Sequence, residues 1–184
     1  MHLEKVTESN VDYAVSIQEE LFPGESGRAN YEEALNQSAD YKYYLIYHAG
    51  DCVGIIGLYY YMEDPDSAWL GWFGIRKEYR RRHLGSMALK LFEEMAAEGG
   101  YKYARLYTDA EDNDDAIAFY EAEGYISEPY ENANDSVSMK QKNLIFTKPL
   151  GDNELVLWNN RNIHLTEQIA KQEKYNQHRS DPGL

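Results

Sequence analysis

The sequence predicts an α/β (α+β) fold in which an antiparallel run of strands leads into a strand-helix-strand unit. Segments rich in aromatic and β-branched residues fill the first half, at 41–48, 52–62 and 68–75, and turn-forming residues separate them. The second half opens with the clearest helical periodicity of the chain, at 84–98, and a strand pattern follows at 103–108. With 184 residues, 43% of them hydrophobic, the chain suits one domain with a single core.

Cap and turn residues predict where the elements of the first half begin and end. Ser9 and Asn10 are candidate N-caps for the first helix, and Asn30 and Glu33 form a capping-box-like pair at the start of the second. In order, we expect a strand at 2–6, helices at 9–21 and 30–38, and strands at 41–48, 52–62 and 68–75.

Glycines mark the special backbone positions of the remaining elements. Gly71 and Gly74 lie within the strand at 68–75 and indicate a β-bulge or a close backbone approach. The pair at 99–100 and Gly124 are expected to end two helices. The elements expected here are a helix at 84–98, a strand at 103–108, a helix at 116–123 and strands at 125–130 and 144–147.

The character of the chain changes at Gly151. Trp158 and a helical pattern from His164 to about Gln177 belong to this last segment. We therefore expect a domain at 1–150 and a C-terminal extension at 151–184, packed on the domain or at a dimer contact.

Charge and cysteine content limit the class of function. The net charge is −14, from 18 Lys and Arg against 32 Asp and Glu. This argues against a nucleic-acid partner and permits a cationic acceptor, although plain solubility explains the charge as well. Cys52 is the only cysteine, the first residues are not typical of a signal peptide, and the apolar stretches fall far short of the ~20 residues that span a membrane. We expect a cytoplasmic protein that binds no metal.

The start of the long helix carries the wrong charge for its position. Arg80, Arg81, Arg82 and His83 crowd an end where the dipole and the free N–H groups favour acidic or hydroxyl residues. A bound diphosphate would accept hydrogen bonds from those N–H groups. Because Gly85 has no side chain, the diphosphate could approach the backbone closely. The alternative is a solvated basic turn.

Two motifs around this helix resemble the acetyl-CoA-binding region of the GNAT N-acetyltransferases. After an apolar strand, Arg80 and Gly85 match the first and last positions of Arg/Gln-x-x-Gly-x-Gly/Ala, while His83 replaces the middle glycine. Farther along, Asn113 is followed after three, seven and eleven residues by Ala116, Tyr120 and Gly124, as in the family. The resemblance covers roughly residues 68–125.

The resemblance implies the GNAT acyl-CoA N-acyltransferase fold and a set of cofactor-binding residues. The fold is a mixed sheet of about six to seven strands, splayed at the centre beside a bulge, with about four helices. The backbone of Phe73 and Ile75 would bind the pantetheine, and Asn113 would contact the cofactor near it. The full set expected at acetyl-CoA is Phe73, Gly74, Ile75, Arg80, Arg81, Arg82, His83, Leu84, Gly85, Ser86, Asn113 and Tyr120.

Acetyl transfer to a primary amine also needs an acid and a base. A phenol can protonate the leaving thiolate, so Tyr120 is the candidate acid, and the alternative is a core tyrosine. Some relatives carry a glutamate where this chain has Trp69, so the base is open. Asp109 is the candidate that we name, and Asp66, Glu63 and Glu25 are further candidates. The alternative for each is a solvated surface carboxylate.

The acceptor site is less well marked in the sequence. Trp69, Tyr59 and Tyr61 could line an aromatic acceptor pocket or simply pack on the sheet. By resemblance, the loop at 22–28 borders the acceptor site. Besides an N-acetyltransferase acting on an amine, a non-catalytic acyl-CoA sensor stays an alternative, as does an unrelated anion-binding protein.

Overall fold

The computed structural model describes residues 1–25, 27–36, 41–111, 113–132, 135, 142–158 and 165. The chain divides into two compact units, 1–104 and 105–184, and each is described by itself. The elements are β1 (His2–Lys5), α1 (Val11–Leu21), α2 (Arg28–Glu33), β2 (Tyr41–His48), β3 (Asp51–Tyr59), β4 (Ser67–Ile75), a 3-10 helix (Lys77–Tyr79), α3 (Leu84–Glu98), β5 (Tyr103–Asp109), α4 (Asp114–Ala122), β6 (Ile126–Pro129) and β7 (Asn143–Pro149).

The seven strands are ordered β1-β2-β3-β4-β5-β7-β6 in one sheet. Together with the four α-helices of the described residues, this confirms the predicted fold class. No helix among the described residues has the length and apolarity that crossing a bilayer requires.

In the first unit, β1 to β4 form an antiparallel meander. Ala49 and Gly50, with φ of +53° and +93°, make the two-residue turn between β2 and β3, because two positive φ values match the twist of a hairpin. One face of the sheet carries α1 and α2, whose buried side chains pack against β2 and β3. The core of this layer includes Val6, Ala14, Val15, Ile17, Tyr31, Ala34, Tyr43, Leu45, Cys52 and Ile55.

One cap prediction in this unit is wrong, and a second is confirmed in position but not in its hydrogen bond. The helix α2 begins at Arg28 after Gly27 as its N-cap, so Asn30 lies inside its first turn and forms no capping box. Asn10 does occupy the N-cap position of α1, but its Oδ1 accepts the N–H of Thr7 at 2.7 Å instead of capping the helix. The predicted residues 37–38 of α2 lie outside the described residues.

In the second unit, buried rings and one buried arginine hold the strands and the chain that follows them. Tyr125 and Phe146 pack around the buried side of α4. Arg105 is fully buried and donates to Thr147 Oγ1 at 2.5 Å and to the Val156 carbonyl at 3.1 Å. The predicted helix at 164–177 lies outside the described residues, apart from Leu165.

Candidate functional site

The pairing of β4 with β3 is interrupted between Gly71 and Gly74. Gly57 pairs with Gly71 and Ile55 with Gly74, so one residue of β3 faces two residues of β4, Trp72 and Phe73. Such an arrangement is a β-bulge, and the prediction of a bulge between the two glycines is confirmed.

The bulge holds its backbone in an unusual conformation. Trp72 has a φ of +42°, which a bulky residue adopts at a cost of about 1–3 kcal/mol, so the surrounding contacts must enforce it. Gly54, opposite on β3, is required by close approach: a Cβ there would overlap the carbonyl oxygen of Gly74. The bulge therefore takes the backbone of Trp72 and Phe73 out of the regular ladder at a defined point.

A short turn carries the chain from β4 to α3, and its first arginines have structural partners. The backbone N–H of Arg76 donates a hydrogen bond to the Val53 carbonyl at 2.9 Å. The Nε of Arg80 donates to the Ile75 carbonyl at 2.8 Å, which fixes the turn to the end of the strand. The guanidinium of Arg82 lies 5.8 Å from the ring centroid of Tyr79, within cation–π range.

The next residues combine two left-handed backbone conformations with a row of N–H groups. Arg81 and His83 have φ of +60° and +56°, and Arg82 between them does not have a positive φ. Successive residues of alternating hand point their N–H groups toward a common centre, which is the geometry of an anion-binding nest. The row is continuous with the start of α3, whose first regular bond runs from Met87 N–H to the His83 carbonyl at 3.1 Å.

These N–H groups are available to a ligand. From Arg81 to Gly85, none of them donates a hydrogen bond to another described residue. The N-cap His83 provides no side-chain cap, and the first turn of α3 contains no acidic residue. Because Arg81, Arg82 and His83 are exposed at the positive end of the helix dipole, the charge and the donors together fit a diphosphate.

The backbone conformation of His83 explains how a histidine can stand at a position where the motif has glycine. Position 83 adopts the left-handed region that glycine favours, and histidine is among the residues that enter it more readily than most. The backbone conformation is therefore kept although the glycine is absent. Leu84, buried beside it, anchors the start of α3.

In the second unit, Asn113 lies at the N-cap position of α4. Its carbonyl accepts the N–H groups of Ala116 and Ile117 at 3.0 Å, while its carboxamide makes no capping hydrogen bond. The N-cap alternative thus describes the position of Asn113 but not the use of its side chain. The carboxamide keeps hydrogen-bonding capacity for a ligand.

Tyr120 lies on the same helix, two turns farther on, in an apolar setting. Its ring contacts those of Phe119, Tyr125 and Phe146, with centroids 5.2, 5.9 and 5.6 Å away. Burial raises the pKa of its phenol well above the ordinary value, so the hydroxyl is protonated at neutral pH. A protonated phenol can donate a hydrogen bond.

Comparison with known proteins assigns these motifs to a family. The family model described as "Acetyltransferase (GNAT) family" matches residues 11–125, well over half of the chain. The chain belongs to the GNAT acetyltransferase family. The prediction that it is a GNAT-type N-acetyltransferase is confirmed, and no protein of curated function matches it in sequence.

Solved GNAT structures share the fold at low sequence identity. The ribosomal-protein-S18-alanine N-acetyltransferase of Escherichia coli is 16% identical, with a TM-score of 0.65 over 85% of this chain and 98% of that one. An aminoglycoside 6'-acetyltransferase type Ii is 20% identical, with a TM-score of 0.65 over 84% and 100%. The PaiA N-acetyltransferase of Thermoplasma acidophilum, in complex with coenzyme A, is 18% identical, with a TM-score of 0.61 over 81% and 99%.

The carboxylates considered as the base of this GNAT chain differ in their partners. Asp109, at the end of β5, accepts the N–H of Glu111 at 2.9 Å and so closes a turn. Asp66 is paired with the Lys102 ammonium at 3.1 Å, and Glu63 is exposed. Partial burial raises the pKa of the Glu25 carboxyl, although much of that residue is exposed.

The three aromatic residues considered for the acceptor pocket pack on one another. Trp69 is fully buried, and its ring contacts those of Tyr59 and Tyr61 with centroids 6.2 and 5.0 Å away. Its indole Nε1 donates to Asp64 at 3.3 Å, and Asp64 itself is 1% exposed. Because Trp69 is buried, packing on the sheet describes it better than lining an acceptor pocket does.

Sequence reasoning missed two buried polar residues of this unit. Asp64 lies in a turn whose sequence is typical of exposed residues. Its burial becomes apparent only from its hydrogen bond with Trp69. Gln18 is fully buried on α1, and its signal is its place on the apolar side of the helix, four residues after Ala14 and three after Val15. No group of three or more His, Cys, Asp and Glu side chains in the described ranges is arranged to hold a metal ion.

Proposed function

We propose that this GNAT enzyme transfers an acetyl group from acetyl-CoA to a primary amine by direct attack in a ternary complex. The observation that carries the proposal is the row of N–H groups from Arg81 to Gly85, which have no partner among the described residues and follow a bulged strand. A strand whose ladder is interrupted by a bulge and a turn whose N–H groups fit a diphosphate are the two features that a pantetheine diphosphate needs.

Each part of the donor has a set of residues. The backbone of Phe73 and Ile75, on either side of Gly74, binds the pantetheine amides. The N–H groups from Arg81 to Ser86, including those of Leu84 and Gly85, hold the diphosphate. Arg80, Arg81 and Arg82 supply the side-chain charge, and Arg80 is positioned by the bond from its Nε to the Ile75 carbonyl. Asn113 uses its carboxamide near the pantetheine.

The chemical step moves one acyl group and two protons. The neutral amine nitrogen attacks the thioester carbon, the C–S bond breaks, and coenzyme A leaves as a thiolate. Tyr120 gives that thiolate a proton or stabilises it with a hydrogen bond, and the nitrogen, positively charged after attack, releases the proton that restores the phenol or reaches the thiolate through solvent. The amine loses a proton to a base, Asp109 or Glu25, or to water, because alkylamines with pKa ~10 are mostly protonated at neutral pH.

The acceptor is proposed to be a cationic small molecule or peptide. The charge of −14 attracts cations over the whole surface. The structural neighbours include an aminoglycoside acetyltransferase, a ribosomal-protein alanine acetyltransferase and a spermidine acetyltransferase chimera, which support an amine as the acceptor. The cytoplasmic location, the homodimer and the division into 1–150 and 151–184 stay predictions.

An amine panel tests the proposed function. The purified chain is incubated with acetyl-CoA and polyamines, aminoglycosides and N-terminal or lysine peptides, and free thiol release is followed together with the mass of the acceptor. We expect a gain of one acetyl group on at least one amine. Tight acetyl-CoA binding without transfer to any amine would instead favour the sensor alternative.

A further inference from the structure

A buried glutamine ties the connection between α1 and α2 to the first of these helices. Gln18 is 0% exposed, and its carboxamide makes two hydrogen bonds with that connection. Its Nε2 donates to the Glu25 carbonyl at 3.1 Å, and its Oε1 accepts the Gly27 N–H at 3.0 Å. One side chain thus satisfies a donor and an acceptor of the connecting backbone from inside the protein.

The side chain of Gln18 packs so closely on the backbone of Gly27 that no side chain fits at position 27. A Cβ at Gly27 would lie 2.7 Å from both Cδ and Oε1 of Gln18. Because the Gly27 N–H is buried, it has no water to replace Oε1 if the carboxamide is lost. The position of the connection therefore depends on this contact.

The other end of the connection lies against the bulge of β4. The ring of Phe22 meets that of Trp72 edge-on, with centroids 5.1 Å apart and planes 73° apart. A Cβ at Gly74 would lie 3.1 Å from Leu21 Cδ1 and 3.4 Å from Phe22 Cζ. Phe22 thus lies against the bulge, while the backbone of Glu25 and Gly27 is bonded to Gln18.

We propose that Gln18 is a positioning residue for the amine acceptor, acting through the backbone at Glu25 and Gly27. The inference rests on the proposed function, in which the bulge holds the acyl end of the donor. If the thioester lies at the bulge, the segment that contacts Trp72 and Gly74 borders the route of the attacking amine. Gln18 touches neither substrate, so its effect falls on acceptor affinity.

The test separates the acceptor from the donor in steady-state kinetics. Gln18→Met keeps the length of the side chain and removes both hydrogen bonds, and Gly27→Ala disturbs the same contact from the other side. The matched control is Glu19→Gln, an exposed neighbour on the same helix. The KM for the best amine of the panel and the KM for acetyl-CoA are measured for each variant, with rates corrected for the folded fraction by circular dichroism.

We expect Gln18→Met to raise the amine KM by about fivefold or more, the effect of one or two lost hydrogen bonds, and to leave the acetyl-CoA KM within about twofold. Gly27→Ala should shift the same constant, and Glu19→Gln should shift neither. If the amine KM is unchanged in both variants, or the two KM values rise together, Gln18 has only a structural role. If the wild-type chain acetylates no amine, the proposed function fails and this inference fails with it.

Discussion

At the scale of single residues, the chemistry of Tyr120 follows from the rings around it. Tyr125 and Phe146 surround the phenol with apolar surface, and nothing among the described contacts stabilises a phenolate. The hydroxyl therefore stays protonated and can serve a leaving thiolate. The motif spacing predicted the position of Tyr120, but its burial depends on residues up to 26 positions away, which no local pattern reveals.

Removing this hydroxyl tests its role. Tyr120→Phe is expected to lower kcat by about a hundredfold, the usual range for the loss of a general acid, while the Kd for acetyl-CoA stays within about twofold. Rapid-mixing kinetics and calorimetry measure the two constants. The matched control is Tyr125→Phe, which removes a hydroxyl from the neighbouring ring. Equal turnover in wild type and Tyr120→Phe would rule out the acid role.

The raised pKa of Tyr120 also sets a direction for pH dependence. A phenol whose pKa is higher in the folded than in the unfolded state stabilises the fold below pH ~10 and loses that contribution as pH rises further. For catalysis, kcat/KM should rise with pH as the amine loses its proton, with no decline due to Tyr120 below pH ~10. A falling limb near pH 8 that disappears in Tyr120→Phe would contradict this assignment.

At the scale of elements, the bulge, the turn and the start of α3 make one continuous backbone feature. Trp72, Arg81 and His83 all have positive φ, Trp72 at the bulge within β4 and the other two in the turn before α3. The sequence predicted the bulge from two glycines and the anion site from misplaced arginines. It did not predict that a histidine would take the left-handed conformation, because only the φ value shows that the glycine geometry survives.

Substitution of His83 separates the backbone from the side chain. His83→Gly should bind coenzyme A within about twofold of wild type, because glycine adopts positive φ freely. His83→Val should weaken binding by about tenfold, because a β-branched residue pays of order 1–2 kcal/mol or more in this conformation. Calorimetry with coenzyme A gives both values. Equal losses in the two variants would mean that the imidazole, and not the nest, contacts the ligand.

At the scale of the whole molecule, the predictions succeeded where local signals decide the structure. Strong periodicity placed β2 and α3 at 41–48 and 84–98, as observed. The start of α2 was predicted wrongly because its N-cap, Gly27, is held by Gln18, a contact between residues nine positions apart. The catalytic base was not found because partners such as Lys102 at Asp66 are set by the fold and not by the motif.

The distribution of charge over the molecule differs between the proposed acceptor and donor sites. The molecule carries −14 overall, yet Arg80, Arg81 and Arg82 gather beside the nest. The proposed cationic acceptor would be attracted by the general field, whereas the proposed anionic donor would need a local reversal of it. The same distribution explains why the arginines stand out in so acidic a sequence.

The nest itself is open to the most direct measurement, a crystal structure of the chain with coenzyme A. The account predicts diphosphate oxygens within about 2.7–3.2 Å of the N–H groups from Arg81 to Gly85. A diphosphate bound elsewhere, with those N–H groups facing only solvent, would contradict it.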